Sequence, residues 1–212
     1  MDNFIRFNTS ERFLYFSVFL LGALGMLVQA VFLREILATF RGGELTMGVA
    51  LLSWLFWTAA GSGFVGKRAT AIETPEIWLH ALLPIYGFFG YIGTMLTANV
   101  PLLFRLTPGE AAPYDIQFIA VIFFLLPFNA LGGFLFALGA KALKAPGTPT
   151  AGRAFTVESL GAAFAGVFFS LVLADRSPNH AIALACPVIA GAASAVWALR
   201  FRSKKLIAIL PA

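Results

Sequence analysis

Long apolar stretches separated by short polar segments run along almost the whole chain. A helix needs about 20 apolar residues to cross the hydrocarbon core of a bilayer, and six stretches reach that length. They cover residues 12–33, 44–66, 77–100, 115–140, 156–174 and 179–199. The pairs Thr74-Pro75 and Ser177-Pro178 mark helix starts, because each places a capping hydroxyl before a proline at the first helical position. The pattern predicts an all-α polytopic transmembrane bundle, a single integral membrane domain over residues 1–212.

Composition favours lipid as the environment. Only 12% of the residues are charged and 59% are hydrophobic, whereas a soluble domain keeps roughly a quarter of its residues charged. The formal charge of +5 arises from basic residues at the ends of apolar runs. That placement is typical of topology signals and of contacts with anionic lipids, and we expect no nucleic-acid partner. A signal peptide is the alternative for the first stretch, but its apolar run is long for one.

Lysine and arginine are distributed unequally between the two sides of the predicted bundle. One side carries Arg6, Arg12, Lys67, Arg68, Lys141, Lys144, Arg153, Arg200, Arg202, Lys204 and Lys205, and the other carries Arg34, Arg41, Arg105 and Arg176. The positive-inside rule then places both termini in the cytoplasm, as in a multi-pass protein of the cell (inner) membrane. The basic residues after position 199, followed by apolar ones, predict a tail that lies at the membrane surface.

The stretch "FLREILATFRGGELTMG", residues 32–48, interrupts this apolar chain with four charges that sum to zero. They are Arg34, Glu35, Arg41 and Glu44. One interpretation is a structured turn that locks the first two helices, with the arginines neutralising the glutamates at the interface. The alternative is a polar gate over a central pathway.

Glu158 opens the fifth stretch in "FTVESLGAAFAGVFFS", and a carboxylate near hydrocarbon is costly unless it is paired or hydrated. It is either a first-turn acid that the helix dipole favours, or a polar anchor facing the bundle interior near Gln29, Arg34 or Asn129. Glu44 opens the second stretch in the same way. The second stretch starts outside and the fifth inside, as an inverted three-plus-three repeat requires, although few positions support the match.

Small residues in the last two stretches predict close helix packing, because they let backbones approach in lipid. We expect Gly161, Ala162, Ala165 and Gly166 to face another helix, and Gly191, Ala192 and Ser194 to do the same.

No cofactor or metal site is expected. His80 and His180 are the only histidines, and they begin helices on opposite sides of roughly 30 Å of hydrocarbon, so one metal cannot bind both. Ser62 invites a serine hydrolase interpretation with His80, but no oxyanion donor is evident. Small residues around Ser62 favour helix packing instead.

Three segments resemble the membrane part of spermidine-synthase-like integral membrane proteins: "QAVFLREILATFRGGELTMGVALLSWLFWTAAGS", "LPFNALGGFLFALGAKAL" and "AFTVESLGAAFAGVFFS". The membrane region of those proteins is itself similar to part of a major-facilitator transporter. The most specific matching elements are Gln29, Arg34-Glu35, Gly43-Glu44-Leu45, Trp54 and Glu158.

The family's catalytic half, an aminopropyltransferase-like domain, has no counterpart in this sequence, so the resemblance implies no enzyme. It leaves two functional expectations. The first is a non-catalytic integral membrane subunit or anchor of a larger assembly, with other membrane subunits as partners. The alternative is a small transporter or half-transporter for a polar or cationic, polyamine-like solute. Whether Glu158 faces an aqueous cavity or a packed partner separates the two.

Overall fold

The structure, a computed structural model, describes residues 9–41, 43–69, 71–107, 110–143 and 150–200, and within these ranges it contains helices and no strand. The helices are α1 (Thr9–Thr39), α2 (Glu44–Ala60), α3 (Gly66–Ala69), α4 (Pro75–Ala98), α5 (Val100–Leu103), α6 (Tyr114–Phe123), α7 (Leu126–Ala142), α8 (Thr150–Phe168) and α9 (Asn179–Arg200). Two π-helical segments, Gly61–Val65 and Phe169–Leu173, join α2 to α3 and extend α8.

The predicted all-α bundle is confirmed. Among the described residues, six helical segments are long and apolar enough to cross a membrane: Glu11–Thr39, Glu44–Ala69, Pro75–Ala98, Tyr114–Ala142, Ala151–Leu173 and Asn179–Arg200. The first span continues to Thr39, well beyond the expected end at residue 33, because the polar residues after position 33 still have helical backbone. The chain turns only at Phe40 and Arg41, where Arg41 adopts a left-handed φ of 57°. Gly42 and the tail over 201–212 lie outside the described residues.

Proline fixes the starts of the third and sixth spans, but the expected hydroxyl cap is absent at Thr74. Pro75 occupies the first turn of α4, while Thr74 before it forms no side-chain cap and accepts backbone N–H groups through its carbonyl. At α9 the carbonyl of Pro178 accepts the N–H groups of Ala181 and Ile182. The cap prediction was wrong at Thr74 because the backbone carbonyl performs that role.

Side-chain contacts define two ends of the bundle. At the proximal end, where α1 begins, Ser17 Oγ lies 2.8 Å from His80 Nε2, and Trp197 stacks on the His80 ring at 4.2 Å. At the distal end, Asn179 Nδ2 donates to Glu35 at 2.6 Å. Thus α1 and α4 run from proximal to distal, and α9 runs back.

The most extensive helix contact joins α1 to α8, which run parallel, and it depends on two glycines. A Cβ atom at Gly161 would overlap the carbonyl oxygen of Phe19, and one at Gly22 would overlap the carbonyl oxygen of Glu158. Gly161 therefore faces another helix at backbone contact, the kind of approach that small residues permit where lipid offers no hydrophobic drive.

The same reciprocal contact occurs between α7 and the end of α2. A Cβ atom at Gly61 would overlap the carbonyl oxygen of Ala130, and one at Gly133 would overlap the carbonyl oxygen of Thr58. Lys141, near the end of α7, donates from Nζ to the carbonyls of Ala69 and Ile72 at 3.0 and 2.5 Å. The two chain segments therefore run parallel as well.

These two contacts share one register, which defines an inverted repeat. Residues 19 and 22 correspond to 130 and 133, which lie 111 positions later, and residues 58 and 61 correspond to 158 and 161, which lie 100 positions later. The same two offsets relate the contact of Gly66 with Ala137 to the contact of Gly166 with Met26. Corresponding helices run in opposite directions, as an in-plane two-fold relation requires.

The register corrects the pairing inferred from the sequence. Glu158 corresponds to Thr58 and not to Glu44, because the glycine contacts fix the offset between the second and fifth spans at 100. The third and sixth spans also match, since Pro75 and Pro84 recur nine residues apart as Pro178 and Pro187.

The expected packing of the sixth span is partly wrong. A Cβ atom at Gly191 would meet nothing within 4 Å, and Ala192 is exposed. Ser194 contacts α4 as predicted, because its Oγ donates to the carbonyl of His80 at 2.7 Å. Another contact with α4 is made by Pro187, whose backbone lies against Gly87.

Candidate functional site

A cavity of about 530 Å³ lies near the middle of the spans, between α1, α2, α4, α7 and α8. Its polar and aromatic lining residues are Gln29, Trp54, Thr58, Ser62, Tyr86, Asn129, Phe136, Phe155, Glu158 and Ser159. The remaining wall is made of small and aliphatic residues, including Gly22, Gly25, Gly132 and Gly133. The glycines that bring the helices together therefore also leave room for the cavity.

Glu158 supplies the cavity's charge. It is half-buried, and no other Asp, Glu, Lys, Arg or His is among the lining residues. Within the part of the chain that the structure describes, its carboxylate has no hydrogen-bonding or ion-pairing side chain. The Glu158 carbonyl packs on Gly22, so backbone contact with α1 fixes the position from which the carboxylate enters the cavity.

Asn129 contributes a buried acceptor without a protein partner. Its side chain is 3% exposed, and Oδ1 has no hydrogen bond although it is inaccessible to solvent. A buried polar group left in this state costs about 1–3 kcal/mol. Asn129 lies in the first turn of α7, just after Pro127 and the break at Phe124 and Leu125 that separates α6 from α7. The break thus places a polar side chain at mid-span.

Aromatic rings form much of the remaining wall. Trp54, Tyr86, Phe136 and Phe155 come from four different spans. Tyr86 is buried and stacks on Phe128, with ring centroids 4.2 Å apart and planes 12° apart. The stacking holds its ring against the cavity.

The cavity lies between the two halves of the repeat, and equivalent residues of both halves line it. Four pairs of residues that line it from the second and fifth spans are equivalent at an offset of 100: Leu55 and Phe155, Thr58 and Glu158, Ala59 and Ser159, Ser62 and Ala162. The carboxylate is therefore an asymmetric feature of a nearly symmetric site, since the equivalent position is Thr58.

The structure separates the candidate polar residues into different places. Gln29 and Glu158 line the central cavity, together with Asn129 and Trp54. A second pocket of about 550 Å³ at the distal end is lined by Arg34, Glu35, Tyr91, Met95, Ala98, Asn179 and His180. The four charges of residues 32–48 do not form one site.

Glu35 accepts a hydrogen bond from Nδ2 of Asn179. The Arg34 guanidinium lies 5.6 Å from the centre of the Phe169 ring, and its Nη1 is buried without a hydrogen-bond partner. Arg34 and Glu35 thus have different nearest partners, because α1 continues through both residues, although both line the distal pocket. The neutralisation of the glutamates by the arginines stays a prediction. Arg41 and Glu44 are exposed at the distal turn, and their proposed pairing stays a prediction.

The structure does not form the Ser62 and His80 pair. Ser62 Oγ donates to the carbonyl of Ala59 at 3.1 Å. His80 is buried between Ser17 and the carbonyl of Glu76, which lies 2.6 Å from Nδ1. Across the described ranges, no group of three or more His, Cys, Asp or Glu side chains is placed to bind a metal ion.

Sequence reasoning missed Thr58, Tyr86 and Ser159 as site residues. Asn129 was named only as a neighbour of Glu158, although an amide inside a long apolar run is a readable signal. Tyr86 gave no such signal, because a tyrosine in a transmembrane helix is ordinary at either interface.

Comparison with known proteins found no match: no family model, no curated protein and no solved structure is significantly similar to this chain. Over the described residues, the fold defines a helical membrane protein with six candidate spans, an inverted repeat and a largely apolar cavity that contains one carboxylate.

Proposed function

We propose that this protein is a small transporter or half-transporter that carries a small polar solute through the central cavity. The observation that supports this proposal is the position of Glu158, which faces a cavity rather than a packed helix. A carboxylate inside a membrane is costly, and such residues commonly mark solute or ion pathways.

The inverted repeat supports the same proposal. In transporters built from inverted repeats, the solute site lies near the bilayer midplane at the interface between the repeats, and the repeats move relative to one another around it. Here the cavity is lined by equivalent residues of both halves, such as Thr58 and Glu158. The glycine contacts join the first span to the fifth and the second span to the fourth. Each of these two pairs of spans can therefore move as a unit.

A role as a membrane subunit or anchor stays a prediction. The exposed apolar side chains on the outer helices are suited to contact with lipid as much as to contact with a partner protein. Such side chains include Leu52, Phe64, Leu171 and Leu199. No contact among the described residues favours a protein partner over lipid at these positions.

Access to water tests the proposal without knowledge of the solute. In a Cys186→Ala background, Ser159→Cys places a thiol at the cavity, while Leu160→Cys places one on an exposed part of the same helix outside the cavity lining. We expect a membrane-impermeant thiol reagent to label position 159 in vesicles of both orientations and to leave position 160 unlabelled. If position 159 is not labelled in one of the two vesicle orientations, the transport proposal is overturned.

A further inference from the structure

We propose that the central cavity binds a small organic cation with a single positive charge, of the alkylammonium type. This inference deepens the proposed function, because it names the class of solute that the same cavity accepts.

The charge of the site sets the charge of the ligand. Glu158 is the only charged residue among those lining the cavity, and no lysine, arginine or histidine lies there to neutralise it. An ionised carboxylate in a low-dielectric site is costly unless an opposite charge accompanies it. One positive charge balances the site, whereas a dication leaves one charge unpaired and an anion adds repulsion.

The walls of the site favour an organic cation over a metal ion. Trp54, Tyr86, Phe136 and Phe155 line the cavity, and an ammonium group is attracted to aromatic rings. A hard cation such as Ca²⁺ needs about six to eight oxygen ligands, while the lining of this cavity is mainly aromatic and aliphatic carbon. The described residues likewise contain no group of three or more His, Cys, Asp or Glu side chains placed to bind a metal ion.

The unpartnered amide of Asn129 supplies a directional contact. Its Oδ1 has no hydrogen bond in the protein but is inaccessible to solvent, so the side-chain amide has to rotate before Oδ1 accepts a hydrogen bond from an N–H or O–H group of the ligand. Gln29 lines the same cavity from α1. The volume of about 530 Å³ falls within the range of about 300–1,000 Å³ that small-molecule sites occupy.

The test compares two probes of one shape and different charge. Choline carries a trimethylammonium group, and 3,3-dimethylbutan-1-ol is its neutral carbon isostere. Titration calorimetry on the full chain in a maltoside detergent should show choline binding at least tenfold more tightly than the isostere. Glu158→Gln should remove most of that preference, while the matched control Glu44→Gln, at the exposed distal turn, should retain it.

A second variant keeps the test valid if Glu158→Gln does not fold. Asn129→Asp adds a carboxylate of nearly the same shape, and it should raise the affinity for the dication 1,4-diaminobutane relative to choline. Equal binding of choline and its isostere, no binding of choline, or an unchanged preference in both variants would overturn the inference. Labelling of position 159 without a preference for cations would overturn this inference alone, whereas choline binding without labelling would overturn the transport proposal alone.

Discussion

Gly161 of α8 lies so close to the carbonyl oxygen of Phe19 in α1 that a Cβ atom there would overlap the oxygen. A clash with backbone cannot be relieved by a side-chain rotation, so one of the two helices must shift. This contact and its counterpart between Gly61 and Ala130 fix the register of the whole bundle.

Gly161→Ala should therefore destabilise the protein by about 1–3 kcal/mol, the usual cost of overpacking. Gly152→Ala is the matched control on the same helix, because a Cβ atom there meets nothing within 4 Å. Alanine is a better helix former than glycine by about 1 kcal/mol, so the control should be neutral or stabilising. Thermal unfolding in detergent measures both, and equal effects would contradict a tight contact at position 161.

The expected effect at Gly166 is smaller. A Cβ atom there would meet the end of the Met26 side chain at 3.3 Å, and a flexible methionine can move aside. Gly166→Ala should thus cost less than Gly161→Ala in the same assay, whereas Gly166→Leu should lower stability more than Phe168→Leu, since Phe168 is 43% exposed. A larger loss from Gly166→Ala than from Gly161→Ala would show that the side chain of Met26 is fixed.

The repeat makes its own prediction about the second span. Gly61→Ala should cost about as much as Gly161→Ala, because each would clash with a carbonyl in the equivalent contact. Gly63→Ala, two residues away, should cost little, since a Cβ atom at Gly63 has open space. Full tolerance of alanine at position 61 would contradict the shared register.

Ser17 and His80 form a buried pair at the proximal end that can be tested directly. The carbonyl of Glu76 fixes Nδ1 as the donor, so Nε2 of a neutral ring is an acceptor, and the Ser17 hydroxyl proton is shared between Nε2 at 2.8 Å and the carbonyl of Phe13 at 2.9 Å. Ser17→Ala should cost about 1–3 kcal/mol by leaving Nε2 unpaired. His80→Phe in the same background should recover part of that loss while retaining a ring against Trp197. Strictly additive losses would argue against the pair.

Topology can be read from reporter fusions. Lys141 holds the segment that ends α3 against the end of α7, so the exposed loop at Glu73 lies at the proximal end, as does the end of α9 near Trp197. Reporters inserted after Glu73 and fused to the C-terminus should report the same compartment, and the positive-inside rule predicts the cytoplasm. Opposite compartments for the two fusions would contradict the bundle described above.

The distal turn carries one prediction from sequence alone. If Arg41 and Glu44 stabilise each other, Glu44→Gln should lower thermal stability modestly, and Glu44→Ala should lower it more. The losses from Arg41→Ala and Glu44→Ala should then be non-additive. Additive losses would favour independent roles at the turn.

Hydropathy determined the number of spans and most of their boundaries, because crossing a bilayer is a requirement that each segment meets locally through its own length and apolar content. Pro75 and Pro178 marked helix starts for a similarly local reason, since a proline lacks the N–H that a first turn does not use. Glu158 could be singled out from the sequence because a carboxylate in an apolar run is unusual wherever it faces.

Only the tertiary structure decided what Glu158 faces. The rotation of each helix about its own axis depends on contacts with other helices, such as that of Gly22 with the backbone of Glu158, and no local pattern encodes it. The same contacts bring Asn129 and Tyr86 to the cavity. They also leave Gly191 with open space, whereas Gly22 is tightly packed, although the two glycines look alike in sequence. The equivalence of Glu158 with Thr58 likewise emerged from paired contacts across the bundle, because the two halves share too few identical residues for the sequence to fix their register.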